Sequence, residues 1–160
     1  MIKYLRGDAT RPRVSGPKVL THICNDQGRW GKGFVVALSA RWPQPEQAYR
    51  AWAQQGVWGD EPFGLGGAQL VEIPDSDIAV VNMVAQHGIK ARDGVPPIRY
   101  GALETCLHKL QIFTRQRDAS IHMPRIGCGL AGGTWEQVEP LIHKLLGDLH
   151  VFVYDVNKRV

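Results

Sequence analysis

The residues best suited to chemistry lie in a glycine-rich stretch from His122 to Glu136. Four of its glycines fall within the seven residues from Gly127 to Gly133. Glycines let backbone N–H groups turn inward and approach a ligand closely, and a helix that begins after the loop adds partial positive charge. The stretch therefore predicts an anion-binding loop. The glycines alone leave one alternative open, a tight strand-to-helix turn without a ligand.

Two known phosphate-binding signatures do not describe this stretch. No Lys-Ser or Lys-Thr pair follows the glycines, so it is not a P-loop. The spacing Gly127-x-Gly129-x-x-Gly132 has the letters of a dinucleotide-binding fingerprint, but its place near the C-terminal end of the chain gives that reading poor support. Thr134 and Gln137 have the spacing of a capping box, which predicts that a helix begins here.

Two further segments have ligand-binding residue types. Asn25 to Gly33 again has glycines between a predicted strand and a predicted helix, and the polar segment from Gln86 to Pro97 follows a strongly apolar strand. Ligands of α/β sheets bind at the carboxyl ends of strands. Because all three loops follow strands, we expect them to form one cleft. Two glycine loops leading into helices suit an extended anion such as a diphosphate.

These loops need a scaffold, which hydrophobic periodicity predicts. A continuous apolar run such as 78–84 is typical of a strand buried on both faces. The order of elements favours a mixed or mostly parallel sheet with helices on both faces, hence the α/β class. The predicted strands are 2–6, 18–23, 68–73, 78–84, 120–124 and 151–154, the predicted helices are 34–41, 46–55, 99–117 and 134–146, and the predicted long loops include 56–67 and 85–98.

The composition is that of an ordinary globular chain, with 160 residues of which 44% are hydrophobic and 21% charged. This length favours one domain, which we assign to residues 1–160. Cys24, Cys106 and Cys128 are odd in number and include no Cys-x-x-Cys pair, which argues against a disulfide framework and a zinc site. We expect neither a metal nor a cofactor.

Charge and hydropathy limit the possible partners. The net charge of +4 is compatible with an anionic ligand, and solvated surface lysines explain it equally well. No apolar run approaches the ~20 residues that span a bilayer, and the N-terminus lacks the apolar core of a signal peptide. We therefore expect a cytoplasmic monomer with no membrane partner.

At these loops the sequence resembles the macrodomain family. The similarity is to the branch with the terminal ADP-ribose protein glycohydrolase and the yeast-type ADP-ribose-1''-phosphate phosphatase. It covers nearly the whole chain, and it also extends to a bacterial subgroup with Asn82-Met83-Val84-Ala85-Gln86-His87-Gly88 and a Gly-Leu-Ala-Gly-Gly second loop. The motifs that carry it are Arg6-Gly7-Asp8-Ala9-Thr10, His22-Ile23-Cys24-Asn25-Asp26 with Gly31-Lys32-Gly33, Met123-Pro124-Arg125-Ile126-Gly127-Cys128-Gly129-Leu130, and Val153-Tyr154-Asp155.

The resemblance implies a three-layer α/β/α macrodomain with a mixed central sheet that binds ADP-ribose or an ADP-ribosylated protein. Asp8 would accept from the adenine amino group, with a turn-capping role as the equal alternative. Tyr154 would stack on or cover the adenine, or serve as an ordinary core aromatic. Amides of the second loop would hold the diphosphate, and the first loop would lie along the distal ribose. The ligand-binding candidates are Asp8, Gly31, Lys32, Gly33, Gly127, Cys128, Gly129, Leu130, Ala131, Gly132 and Tyr154, with Cys128 interpreted as a small filler and not a nucleophile.

The catalytic positions of the related glycohydrolase are not kept. Its attacking lysine falls within 84–86, where this chain has none, and its supporting acid falls at Ala131. Lys90 lies several residues away, and we do not transfer the role to it. A positioned water could still hydrolyse an ester at the anomeric carbon, because the site then needs orientation and electrostatic support more than a strong base.

The catalytic candidates are therefore Gln86 to hold that water, Asn25 to bind the distal ribose hydroxyls, and Asp26 as a base. The alternatives are amides that satisfy their own loops and a solvated loop charge. We interpret His87 as a solvated loop residue, because the sequence shows no partner for it.

Three functions follow in order of preference. The first is hydrolysis of an ADP-ribose ester, in ADP-ribosyl-glutamate or O-acetyl-ADP-ribose, which would reverse ADP-ribosylation. The second is a non-catalytic ADP-ribose reader module. The third, suggested by the net charge and five tryptophans, is nucleic-acid binding; it ranks last because no Lys/Arg cluster is interleaved with the tryptophans.

Overall fold

The computed structural model describes residues 1–156. Eight strands and four helices follow one another along this part of the chain. In chain order they are β1 (Ile2–Arg6), β2 (Lys18–Asn25), α1 (Phe34–Arg41), α2 (Gln44–Gln55), β3 (Val57–Trp58), β4 (Glu61–Pro62), β5 (Ala68–Glu72), β6 (Ile78–Gln86), α3 (Tyr100–Arg117), β7 (Ser120–Pro124), α4 (Trp135–Leu146) and β8 (Val151–Asp155).

Six of the strands form one mixed sheet in the order β1-β8-β7-β2-β6-β5. Every neighbouring pair is parallel except β5 and β6, which are antiparallel and joined by a short turn. β2 lies in the middle, with β6 on one side and β7 on the other. The predicted mixed sheet of the α/β class is therefore confirmed.

Helices cover both faces of this sheet, because successive residues of the central strands point to opposite sides. On β2, Val19 belongs to the apolar core beneath α3 and α4, whereas Leu20 belongs to the core beneath α1 and α2. Leu107 and Ile142 are fully buried in the first core, and Trp52 is 1% exposed in the second. The three-layer arrangement predicted from the family resemblance is confirmed.

The predicted elements are all present, and the corrections concern their ends. β2 continues to Asn25 and β6 to Gln86, so Ala85 and Gln86 belong to a strand and not to the predicted loop. Asn25 pairs with Gln86 after a bulge, which keeps both residues in the ladder. The predicted loop 56–67 contains the small antiparallel hairpin of β3 and β4.

The predicted capping box is wrong in its hydrogen bonds. Thr134 is the N-cap of α4, but its hydroxyl lies 3.4 Å from Oε1 of Gln137 and caps no backbone amide. The three cysteines are free thiols. Within residues 1–156, every helix is too short or too polar to cross a membrane. The assignment of one domain to residues 1–160 stays a prediction, and its last four residues lie outside the described range.

Candidate functional site

A cleft of about 820 Å³ opens at the carboxyl ends of β2, β6 and β7. The three loops predicted to converge all contribute to its wall. Its lining comprises His22, Ile23, Cys24, Asn25, Arg29, Trp30, Gly31, Lys32, Gly33, Phe34, Val35, Arg50, Gln86, Ile89, Lys90, Pro124, Arg125, Ile126, Gly127, Gly129, Leu130 and Ala131.

The charge of this lining is of one sign. Arg29, Lys32, Arg50, Lys90 and Arg125 are part of it, whereas no Asp or Glu among residues 1–156 is. Arg125 is held by a bidentate pair to the carboxylate of a neighbouring residue on β8, with N–O distances of 2.6 and 3.0 Å. Arg50 also forms an ion pair, with Glu46 at 2.9 Å, so Arg29, Lys32 and Lys90 are the lining cations without an ion pair among residues 1–156. Unpaired cations in a concave surface attract an anion, because low-dielectric walls focus the positive potential.

The second glycine loop presents free backbone donors to the cleft. Among the hydrogen bonds of residues 1–156, none uses the N–H groups of Gly127, Gly129, Leu130 or Ala131. The Gly133 amide closes the loop by donating to the Gly127 carbonyl at 2.7 Å. Unused backbone donors in a concave glycine loop are suited to an anion.

Glycine is required at Gly127 for two reasons. Its φ is +78°, and a Cβ placed there would lie 2.5 Å from Cδ1 of Ile98. At Gly129, in contrast, a Cβ would meet nothing within 4 Å. Gly127 therefore shapes the loop, whereas the absence of a side chain at Gly129 keeps space free above the donors.

The first glycine loop adds the N-terminus of α1 to the opposite wall. Gly33 is the N-cap with φ +83°, and it offers no side chain to the first amides of the helix. Phe34 and Val35, the first two helical residues, line the cleft. A Cβ on Gly33 would lie 3.4 Å from Cδ1 of Leu130, so the two loops approach each other closely. The uncapped helix end supplies a second set of donors with partial positive charge.

Gln86 lies at the end of β6 with only 9% of its surface exposed. Its Nε2 donates to the carbonyl of Gly88 at 3.1 Å. Because a carbonyl only accepts, this bond determines which end of the amide is nitrogen. It leaves Oε1 without a hydrogen bond among the described residues, and Gln86 lines the cleft.

The Asn25 side chain is engaged by its own loop. Its Nδ2 donates to the Arg29 carbonyl at 2.8 Å, and its Oδ1 accepts from the amides of Gln27 and Arg29 and from the Tyr49 hydroxyl. Both ends of the amide are thus occupied within the protein. This geometry matches the loop-satisfying alternative for Asn25, although the residue does line the cleft.

Asp26 links two of the loops around the cleft. Its Oδ1 accepts from the Gly88 amide at 2.8 Å and its Oδ2 lies 2.7 Å from Nδ1 of His87. The expectation that His87 lacks a partner is therefore wrong, because the sequence separates these residues by 61 positions. Burial opposes ionisation of Asp26, but the bonds from Gly88 and His87 outweigh it and lower the pKa of the carboxyl.

Five candidates lie outside the lining of the cleft, Asp26 and the four described next. Asp8 accepts from the amide and hydroxyl of Thr10 at 2.8 and 2.7 Å, which matches its turn-capping alternative. Tyr154 is 7% exposed, and its hydroxyl lies 2.8 Å from Nδ1 of His122. Burial raises the pKa of the Cys128 thiol, which disfavours a nucleophilic role. Gly132 serves the turn, where a Cβ would lie 2.8 Å from Pro96.

Sequence reasoning gave no role to five charged or imidazole-bearing residues of the cleft, His22, Arg29, Arg50, Lys90 and Arg125. Lys90 lies several positions from the expected lysine and therefore received no catalytic role, yet it belongs to the 87–98 loop and lines the cleft. Arg125 follows a strand directly and precedes the glycines, a position that signals a site residue. Arg50 lies on α2, far along the chain from any motif.

Comparisons with known proteins agree with this geometry. A protein of unknown function from Bacteroides thetaiotaomicron has 51% sequence identity and a TM-score of 0.89, with coverage of 97% of this chain and 98% of that one. A macrodomain protein from Streptomyces coelicolor has 48% identity and a TM-score of 0.84, with coverage of 97% and 99%. No protein-family model matches the chain.

Curated relatives are more distant or much longer. The mouse chromodomain-helicase-DNA-binding protein 1-like is 32% identical over 96% of this chain, which spans only 17% of the mouse protein's length. An ADP-ribose 1''-phosphate phosphatase from Lodderomyces elongisporus is 28% identical, with coverage of 96% of this chain and 99% of the yeast protein.

The Asp26 contacts generate a prediction about stability. Replacement Asp26→Asn keeps an acceptor for the Gly88 amide but removes the charge, and should lower the free energy of unfolding by about 1 kcal/mol at pH 7. Since the folded-state pKa of Asp26 is lowered, its contribution is present above the unfolded pKa of about 3.9 and is lost as pH falls through the folded value. Urea unfolding of both proteins at neutral and acidic pH measures the difference, which should shrink in acid.

The matched control for this measurement is Asp60→Asn, a change at an exposed carboxylate of the β3–β4 hairpin. It should alter stability by less than about 0.5 kcal/mol. Equal losses in the two variants, or a difference that does not depend on pH, would contradict the role assigned to Asp26.

Proposed function

Because the chain belongs to the macrodomain family, we propose that it binds ADP-ribose in the cleft and hydrolyses an ester linkage at the distal ribose. The observation that carries the proposal is the set of amides of Gly127, Gly129, Leu130 and Ala131, which make no hydrogen bond among residues 1–156 and belong to residues that line the same cleft as the uncapped N-terminus of α1. Two separate donor sets suit a ligand with two linked phosphates. An isolated phosphate would engage only one of them.

The cations of the lining support the same ligand. A diphosphate brings negative charge into a cleft whose wall contains five basic residues and, among residues 1–156, no carboxylate. The volume of about 820 Å³ lies in the usual range of small-molecule sites. Trp30 and Phe34 add apolar surface to the cleft, and a nucleoside could pack against this surface.

For catalysis we propose a water held by Gln86. Its free Oε1 can accept a hydrogen bond from the water, so that an oxygen lone pair of the water faces the anomeric carbon of the distal ribose. The bond between the anomeric carbon and the ester oxygen breaks, and the water oxygen bonds to the carbon. The carboxylate leaves without needing a proton, and the proton of the attacking water goes to solvent. Orientation and electrostatic support accelerate such a step without a strong base.

The natural substrate class follows from this step. An ester of glutamate at the anomeric carbon of ADP-ribose has a carboxylate as its leaving group, and so does O-acetyl-ADP-ribose when its acetyl group is attached at that same carbon. The relative named ADP-ribose 1''-phosphate phosphatase suggests that this fold can support hydrolysis at this end of ADP-ribose. We propose ADP-ribosyl-glutamate as the first substrate to assay.

A non-catalytic reader remains the second candidate. The full engagement of Asn25 and Asp26 in protein contacts favours it, because neither side chain is free to act on a ligand in this structure. Nucleic-acid binding has less support. Trp52 is 1% exposed and belongs to the apolar core, so it offers no surface on which bases could stack.

The first test concerns the diphosphate site. Replacement Gly129→Glu has space for the new side chain, so the variant should fold, and the carboxylate should repel the diphosphate. We expect ADP-ribose affinity to fall by more than about 100-fold in calorimetry. Gly101→Glu is the control, because it adds the same charge at another open glycine outside the cleft lining. Unchanged affinity of the Gly129 variant would reject the assignment of this loop.

The second test concerns turnover. With a glutamate-ADP-ribosylated peptide, Gln86→Ala should lower the release of ADP-ribose by about 100-fold, because the water loses its orientation. Affinity for ADP-ribose should change much less. Gln27→Ala, at an exposed amide of the neighbouring loop, is the control and should be active. Equal losses of affinity and turnover would mean that Gln86 only binds, and no release by the unmodified protein would favour the reader.

A further inference from the structure

A ring of hydrogen bonds holds Trp30, an aromatic residue of the cleft wall, by its side chain and by its backbone. The indole Nε1 donates to the Ser39 hydroxyl at 2.8 Å, and that hydroxyl donates to Oε1 of Glu46 at 3.0 Å. Arg50 donates Nε to Oε2 of Glu46 at 2.9 Å and Nη2 to the Trp30 carbonyl at 3.1 Å. The ring thus leaves Trp30 at its side chain, passes through α1 and α2, and returns to its backbone.

The guanidinium of Arg50 anchors two carbonyls of the first glycine loop. Besides the bond to Trp30, its Nη1 makes a longer bond of 3.4 Å to the carbonyl of Gly28. A trans peptide unit points its carbonyl and its N–H in opposite directions. The bond from Arg50 to the Trp30 carbonyl therefore also fixes the direction of the Gly31 N–H.

The segment after this anchor has a run of unused amides. The N–H groups from Gly31 to Val35 make no hydrogen bond among residues 1–156, and all five residues line the cleft. Gly31 is exposed, and a Cβ placed there would meet nothing within 4 Å, so a ligand can approach it. Because Gly31 lacks a Cβ, little else resists rotation of the Trp30–Gly31 peptide unit. A rotated unit would present a carbonyl, which only accepts, where an anion needs a donor.

We propose that Arg50 is a positioning residue of the ligand site, which, held by Glu46, keeps the Trp30–Gly31 peptide unit and the amides of 31–35 in the arrangement that binds the diphosphate. The inference rests on the proposed function, since it concerns the same cleft. Arginine suits this position because three of its nitrogens reach the carboxylate and both carbonyls, whereas lysine is a single point donor on a flexible stem. Half of the Arg50 side chain is exposed, and an ion pair so exposed contributes little to folding stability.

The Arg50→Lys variant separates geometry from charge. Lysine keeps the positive charge but cannot reach the carboxylate and both carbonyls at once, so ADP-ribose affinity in calorimetry should fall by about tenfold. If Arg50 acted only through its charge, the variant would bind like the unmodified protein. Unchanged affinity of the folded variant would overturn the inference.

The Glu46→Ala variant distinguishes positioning from direct contact with the ligand. It removes a negative charge near an anion site and releases Arg50, so a direct or purely electrostatic role of Arg50 predicts tighter binding. Positioning predicts the opposite, an affinity lower by about fivefold, because Arg50 loses the partner that holds it. Equal or higher affinity would overturn the inference. The matched control is Glu104→Ala, which removes the partner of Lys144 outside the cleft lining and should leave affinity unchanged.

Nitrogen-15 relaxation of the Gly31 and Gly33 amides gives a readout that a merely structural role would not move. In the absence of ligand, Arg50→Lys should show exchange broadening at these two amides that the unmodified protein lacks, while the melting temperature changes little. Relaxation identical to that of the unmodified protein would overturn the inference.

The outcomes separate this inference from the function on which it rests. Failure of the unmodified protein to bind ADP-ribose would overturn both. Normal ADP-ribose binding by folded Arg50→Lys and Glu46→Ala variants would overturn the role of Arg50 alone. A loss of stability with unchanged affinity would likewise show that the ring only supports the fold.

Discussion

The parallel pairing of β2 with β6 on one side and with β7 on the other is the constraint on which the cleft depends. Parallel strands end at the same edge of a sheet, so the loops after these three strands must emerge side by side. Residues at 25–33, 86–98 and 125–133 are far apart in sequence and share one wall only through this ladder. The bulge at Cys24 and Asn25 shifts the register of β2 and β6 by one residue, so that Asn25 pairs with Gln86 at the edge of the site.

The loops hold their shape without using the donors that face the cleft. Asn25 closes the first loop with its side chain, Asp26 joins it to the 87–98 loop, and Gly133 closes the second glycine loop through the Gly127 carbonyl. The amides that remain free are thereby preorganised. Ligand binding therefore costs less conformational entropy of the loops than it would if the loops had to order on binding.

Several elements could be predicted from the sequence within a residue or two. The predicted boundaries of 2–6, 34–41 and 120–124 agree with the structure, because Gly7 ends the first segment, Gly33 precedes the second and Pro124 ends the third. The end of β6 was not, since Gln86 is polar, and only its partner on β2 keeps it in a strand. The β3–β4 hairpin was missed because its strands have two residues each, too few to show alternation.

The sequence alone determined the class of fold and the three loops that follow strands and line the cleft, because glycine spacing and hydrophobic alternation are local properties. Only the tertiary structure decided which side chains are free to act. Asp26 contacts His87 of the next loop, Asn25 is occupied by Tyr49 and its own loop, and Tyr154 is buried against His122. Hydrogen-bond partners that lie dozens of positions apart leave no trace in local spacing. The clearest case is a series of hydrogen bonds that runs from the Ala48 carbonyl through the side chains of Gln69 and Asn82 to His22. This series joins α2, β5, β6 and β2.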